Sequence, residues 1–166
     1  AHLDTGKCRF TGEPVRCDFI SVHVKGGFSQ NPINPSSDKI MRETLELLNY
    51  LRDNHPRLLE KPFMNDECDP VIGWNFRSEW RGGPYYAAFA AKVVVRHVHE
   101  LLDPGVGNIA LISNDNGFLG GWLFRSQLAN FSHDESICFL KKPVLNVMTM
   151  LSLLGECEAA GGSLAL

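Results

Sequence analysis

The chain has 166 residues, 44% of them hydrophobic and 21% charged, with a net charge of −3, which leaves room for one domain with its own core in ordinary soluble proportions. No basic run or basic-aromatic face is present, which argues against a nucleic-acid partner, and the longest apolar window, around residues 85–95, is cut by Lys92 and followed by Arg96, which argues against a membrane span. The five cysteines (Cys8, Cys17, Cys68, Cys138 and Cys157) are scattered with no Cys-x-x-Cys, so they form no metal motif and do not read as a disulfide scaffold.

The chain starts at Ala1 rather than at an initiator methionine. Both ends read as truncated, so the lack of a visible secretory signal carries no weight. The first strand is expected over residues 17–24, with apolar residues at 19, 20, 22 and 24. Gly26-Gly27 and a polar, proline-containing stretch follow. Ser36, Ser37 or Asp38 can cap the next helix, which runs to about Asp53 with Ile40, Met41, Leu45, Leu48 and Leu51 on one face. His55-Pro56 ends it.

The second strand is expected over residues 61–65. It runs into Asp66, Glu67 and Asp69, a crowding of carboxylates that is costly to bury. Pro70 stops the strand and Gly73 permits unusual backbone, so the segment reads as a strand ending in a shaped polar loop. A helix from Pro84 to Leu102 follows, with proline in its first turn. The third strand, 108–113, is almost wholly apolar, as a strand buried on both faces should be, and ends at Asn114-Asp115-Asn116-Gly117. A long loop then carries Asn130-Phe131-Ser132, a glycosylation acceptor pattern, and an extra strand at 137–140. Asn34 is blocked as an acceptor by Pro35. The last helix starts at Pro143 and is expected to turn Val144, Leu145, Met148, Leu151 and Leu154 inward. A Gly/Ala-rich tail occupies 156–166, so the domain is placed at 1–155.

Strand and helix alternating three times imply an α/β fold with a parallel sheet and right-handed crossovers. All three strands end in polar residues: His23 and Lys25, then Glu67, then Asp115. Convergence of such residues at strand C-terminal ends is the pattern of a (β/α)8 TIM barrel active face. A full barrel takes about eight strands and roughly 250 residues, so this chain reads as the back portion of one.

Glu67 is either a solvated loop acid or a carboxylate placed to attack an anomeric carbon and form a glycosyl-enzyme. Retention requires a second carboxyl group about 5–5.5 Å away; Asp66 faces the other side if the strand continues, and Asp69 and Asp115 are not obvious acids. His23 and Lys25 share one strand face. Lys25 is a point charge for an anionic or hydroxylated ligand, and Arg125 can grip a carboxylate bidentately or serve as a surface charge. Trp74, Trp80 and Trp122 either pack or stack on sugars. His97 and His99 fall on different helix faces and are not a metal pair.

Four blocks together, 18–26, 65–74, 113–119 and 142–145, resemble glycoside hydrolase family 39, and within it the lysosomal uronidases, over roughly residues 18–154. The resemblance implies that the chain carries about strands six to eight of the barrel. It implies a retaining exo-glycosidase that removes terminal α-L-iduronate from dermatan and heparan sulfate, with no metal and no cofactor. Glu67 matches the nucleophile. His23 and Lys25 match sugar contacts, Gly73 and Trp74 a loop whose backbone faces the uronate, Asp115 a holder of sugar hydroxyls, and Arg125 the partner of the uronate carboxylate. The implied partner is a glycosaminoglycan oligosaccharide, with no nucleic acid and no membrane, and the implied location is lysosomal or secreted. The family's acid/base glutamate follows an asparagine, and no Asn-Glu pair occurs in this chain. The N-terminal half of the barrel is missing from it, so the isolated chain is expected to be inactive. Two alternatives stay open: a non-catalytic truncated product or uronate-binding remnant using Lys25 and Arg125, and a metal-dependent barrel using His23, Glu67 and Asp115.

Overall fold

A computed structural model of the chain describes residues 6–28, 34–72, 79–114 and 127–154. Its centre is a three-stranded parallel sheet in the order β1 (Ile20–Val22), β2 (Phe63–Asn65), β3 (Ile109–Ile112). Each strand lies beside the one before it in sequence, so the sheet winds in one direction. Ile20 pairs with Phe63 and Val22 with Asn65. Across β2 and β3 the register slips after Phe63, which pairs with Ile109 while Met64 pairs with Leu111.

Helix α1 (Ser37–Asn54) and the short α2 (Pro56–Leu59) connect β1 to β2. Ser36 caps α1: its Oγ accepts from the Lys39 N–H at 3.1 Å. Ile40, Met41, Leu48 and Leu51 are buried, as the helical spacing predicts. Proline at residue 56 cannot supply the N–H needed to continue α1, and it opens α2 instead. Helix α3 (Pro84–His97) connects β2 to β3 and continues as a π-helical turn, Val98–Leu102, closed by the Asp103 N–H on the Val98 carbonyl. Beyond β3, an antiparallel hairpin pairs β4 (Leu128–Asn130) with β5 (Phe139–Lys141), and α4 (Pro143–Leu153) follows.

The apolar core lies between the sheet and these helices. Met41, Leu48, Phe63 and Leu101 form its largest cluster, with Ile20, Val22 and Ile109 against them. A smaller one, Ile40, Cys68 and Val93, lies under the loop after β2. Tyr86, Ala87, Ala90 and Val144 join α3 to α4. Each fully buried aliphatic or aromatic side chain of this kind contributes about 1.5–3 kcal/mol.

The ladder is shorter than the apolar runs suggest. β3 is not buried on both faces: Leu111 is 41% exposed, and no strand among the described residues pairs with its outer edge. Of the residues expected to turn inward from α4, Val144 is buried and Leu154 exposed. The extra strand near 137–140 is present as β5, but its partner β4 gives no sequence signal, being only Leu-Ala-Asn. The tail 156–166 lies outside the described residues. No helix among the described residues is long and apolar enough to cross a membrane.

Candidate active site

β2 ends at Asn65, and the chain turns at Asp66 and Glu67. The strand therefore does not continue, and Asp66 does not face away as its alternation predicts. Both carboxylates reach one imidazole. His23 Nε2 lies 3.4 Å from Asp66 Oδ1, and His23 Nδ1 lies 3.5 Å from Glu67 Oε2. Lys25 Nζ lies 2.5 Å from the same Glu67 oxygen. The Lys25 side chain is 11% exposed and that of Glu67 31%, so the pair is sheltered yet within reach of a ligand. This geometry suits a nucleophile: the carboxylate is held by the Lys25 ammonium, lies beside the His23 ring, and opens to solvent.

The loops after β1 and β2 are laced together by their backbones. The Gly26 N–H donates to the Asp69 carbonyl at 2.9 Å, and the Gly27 and Ser36 N–H groups donate to the Pro70 carbonyl at 3.1 and 3.0 Å. The Ile72 N–H returns a bond to the Gly27 carbonyl at 2.6 Å. A side-chain carbon at residue 26 would sit 1.9 Å from the Pro70 oxygen, so only glycine fits this approach. Lys39 Nζ donates to the Lys25 carbonyl at 2.9 Å, and the Asn65 side-chain amide bonds both the N–H and the carbonyl of Val24 at 3.0 Å each.

Beneath this lacing lies a buried polar cluster. Asp69, 0% exposed, accepts from the Val71 N–H on Oδ1 and from the Tyr86 hydroxyl on Oδ2, both at 3.0 Å. Arg81 Nη2 stands 3.6 Å from Asp69 Oδ1 and donates to the Val71 carbonyl at 3.3 Å. Burial, reinforced by the Asp69 charge, pushes the Tyr86 phenol well above its ordinary value, so it stays a proton donor to Asp69.

Cys68, beside Glu67 in sequence, points the opposite way, into the core. Burial pushes its thiol up to about 12, so it is an inert structural cysteine. Its Sγ lies 3.9 Å from His97 Nε2, while His97 Nδ1 sits 2.8 Å from the Val93 carbonyl. A carbonyl can only accept, so Nδ1 carries the proton and Nε2 accepts from the thiol. Burial holds the His97 pKa below its ordinary value of about 6.5, against the opposing pull of the Val93 carbonyl and Glu100. Below about pH 6.5 the unfolded chain therefore binds a proton that the folded chain resists, and stability present above that pH is lost as pH falls. Denaturant titrations at about pH 7.5 and about pH 4.5 should show a smaller acid-side loss for His97→Gln than for the wild type. An unchanged loss removes His97 as its source.

Of the sequence candidates, His23, Lys25 and Glu67 converge. Gly73, Trp74, Asp115 and Arg125 lie outside the described residues, as does Trp122. Trp80 packs edge-on against Tyr85 and Tyr86, and His99 pairs with Asp103. Among the described residues no group of three His, Cys, Asp or Glu side chains is arranged to hold a metal ion; Asp115, the third member of the metal reading, is not one of them. Cys8, Cys17, Cys68 and Cys138 are free thiols. The sequence gives no sign of Lys39 or Arg81, and Asn65 stands in the 65–74 block without a role. The one available signal was Asn65 itself, a polar residue ending an apolar strand.

The family model of glycosyl hydrolases family 39 matches residues 5–160. The chain belongs to this family. Among relatives within the family, human α-L-iduronidase (Homo sapiens) is 35% identical over 166 aligned residues, covering 93% of this chain and 24% of the relative. The Drosophila melanogaster α-L-iduronidase is 29% identical, covering 86% of this chain and 23% of the relative. A solved structure of a bacterial orthologue of human α-L-iduronidase superposes with a TM-score of 0.79 at 34% identity, over 91% of this chain and 27% of that one. The α/β arrangement described above is thus similar to that of a family 39 enzyme. The chain spans about a quarter of the length of the curated relatives it matches.

Proposed function

We propose that this chain supplies the nucleophile half of a retaining glycoside hydrolase that removes terminal α-L-iduronate from glycosaminoglycans of the dermatan and heparan sulfate type. The observation that carries the reading is the Glu67 carboxylate at the end of β2, gripped by Lys25 and flanked by His23, in a chain of family 39. The one-directional order of β1, β2 and β3 supports placing them as about strands six to eight of a (β/α)8 barrel.

In this reading Glu67 attacks the anomeric carbon while a second carboxyl group protonates the departing oxygen. Water then cleaves the glycosyl-enzyme with that group acting as base. Among the described residues neither acid near Glu67 suits the second role. Asp69 is fully buried and engaged, and Asp66 neighbours the same histidine. The acid/base is assigned to barrel strands beyond these 166 residues, and the 166-residue chain alone is assigned no turnover. Arg125 is assigned to the uronate carboxylate, the backbone at Gly73 and Trp74 to the uronate pocket, and Asp115 to sugar hydroxyls. The whole protein is assigned to the lysosome or to secretion.

Two measurements on the full-length protein test this. Proton NMR during hydrolysis of an aryl α-L-iduronide should show the α-anomer released first, as two displacements require. After inactivation by a fluorinated α-L-iduronide, peptide mapping should find the sugar on Glu67. Inversion, or sugar on another residue, overturns the assignment.

A further inference from the structure

We infer that Asn65 is a positioning residue for the reaction at Glu67: its side-chain amide sets where Lys25 and His23 stand relative to the nucleophile. The inference rests on the glycosidase reading. The main-chain ladder between β1 and β2 runs out just past Val22, where the Asp66 N–H donates to the Val22 carbonyl at 3.2 Å. Beyond it the Asn65 amide replaces the backbone. Oδ1 accepts from the Val24 N–H and Nδ2 donates to the Val24 carbonyl, each at 3.0 Å. Both ends of one amide are thus spent on one residue, and Asn65 is 1% exposed.

Val24 lies between the two residues that contact the Glu67 carboxylate, and Asn65 lies two positions before Glu67. The result is a small closed circuit: Glu67 carboxylate, Lys25 ammonium, Val24 backbone, Asn65 amide, and back along the chain to Glu67. The Asn65 carbonyl also accepts from the Ser113 N–H at 3.0 Å, which ties the circuit to the segment after β3. Lys39 and Gly26 hold the chain after Val24; the amide holds Val24 itself. An apolar residue of the same size fills the space but makes neither bond. Aspartate keeps the acceptor for the Val24 N–H and loses the donor to its carbonyl.

The test compares Asn65→Leu and Asn65→Asp with the wild type in the full-length protein. It follows kcat and KM on an aryl α-L-iduronide, the rate of Glu67 labelling by a fluorinated α-L-iduronide, and the melting temperature. A displacement of about 1 Å costs about 10²-fold, so Asn65→Leu should lose about that in kcat and in labelling rate, with KM little changed. Asn65→Asp keeps one bond but sets a carboxylate oxygen against the Val24 carbonyl, so it should lose at least as much as Asn65→Leu in both. Wild-type kcat and labelling in a folded Asn65→Leu protein overturn the inference. So does failure of both variants to fold, which assigns Asn65 to stability alone. Absence of labelling at Glu67 in the wild type overturns the glycosidase reading, and this inference with it.

Discussion

Glu67→Gln is expected to lower kcat of the full-length protein by about 10⁴-fold or more, the scale seen when the nucleophile of a hydrolase is removed. Glutamine keeps the volume of the side chain and removes its charge. It cannot displace a leaving group, so no glycosyl-enzyme forms and no fluorinated iduronide is retained. The fold should barely notice. Glu67 is 31% exposed, and an ion pair with one partner that accessible contributes no more than about 1 kcal/mol. The signature is therefore a collapse of turnover and of covalent labelling at a nearly unchanged melting temperature. Retained turnover would mean that the attacking carboxylate lies elsewhere in the protein.

Asp69→Ala should act in the opposite sense, on stability first. Asp69 is 0% exposed and receives the Val71 N–H, the Tyr86 hydroxyl and the approach of Arg81. Arg81 is 2% exposed, and its Nε and Nη1 atoms have no partner among the described residues. Removing the carboxylate takes the counter-charge from a buried guanidinium and the acceptor from a hydroxyl and an amide, at a cost of about 3–5 kcal/mol. Against a usual total of about 5–15 kcal/mol, that is a large share. Denaturant unfolding should show it as a lowered midpoint, and a double-mutant cycle should locate its origin. With Arg81 replaced by Met, Asp69→Ala should cost clearly less, because the unpaired charge is gone. A variant within about 1 kcal/mol of the wild type would show that the cluster relaxes without Asp69.

The alternation of strands and helices was readable because it depends on local period. The 3.6-residue spacing from Ile40 to Leu51 and the prolines at 56, 84 and 143 act within a few residues of where they stand. The lengths of the strands were not readable. A strand ends where its neighbour stops pairing, and that is settled by residues more than forty positions away, as between Val22 and Asn65. The same distinction divides the site. Glu67, His23 and Lys25 stand out as polar, chemistry-bearing groups at strand ends. The turn that brings Asp66 to His23, and the pairing of Asp69 with Arg81 and Tyr86, arise only when distant segments meet.

The backbone lacing between Gly26-Gly27 and Asp69-Pro70 has a consequence for how this region can change length. Lys25 and Glu67 both lie between two fixed crossings: the paired strands on one side and the Gly27–Val71 bridge on the other. One residue inserted into either span would have to bulge out or slip the far crossing by one position. A slip reverses which side of the chain each residue presents and would turn the ammonium away from the carboxylate. Insertions and deletions should therefore be rare here, while the exposed turn at His133–Ser136, which among the described residues bears no such crossing beyond its own hairpin, should vary freely in length.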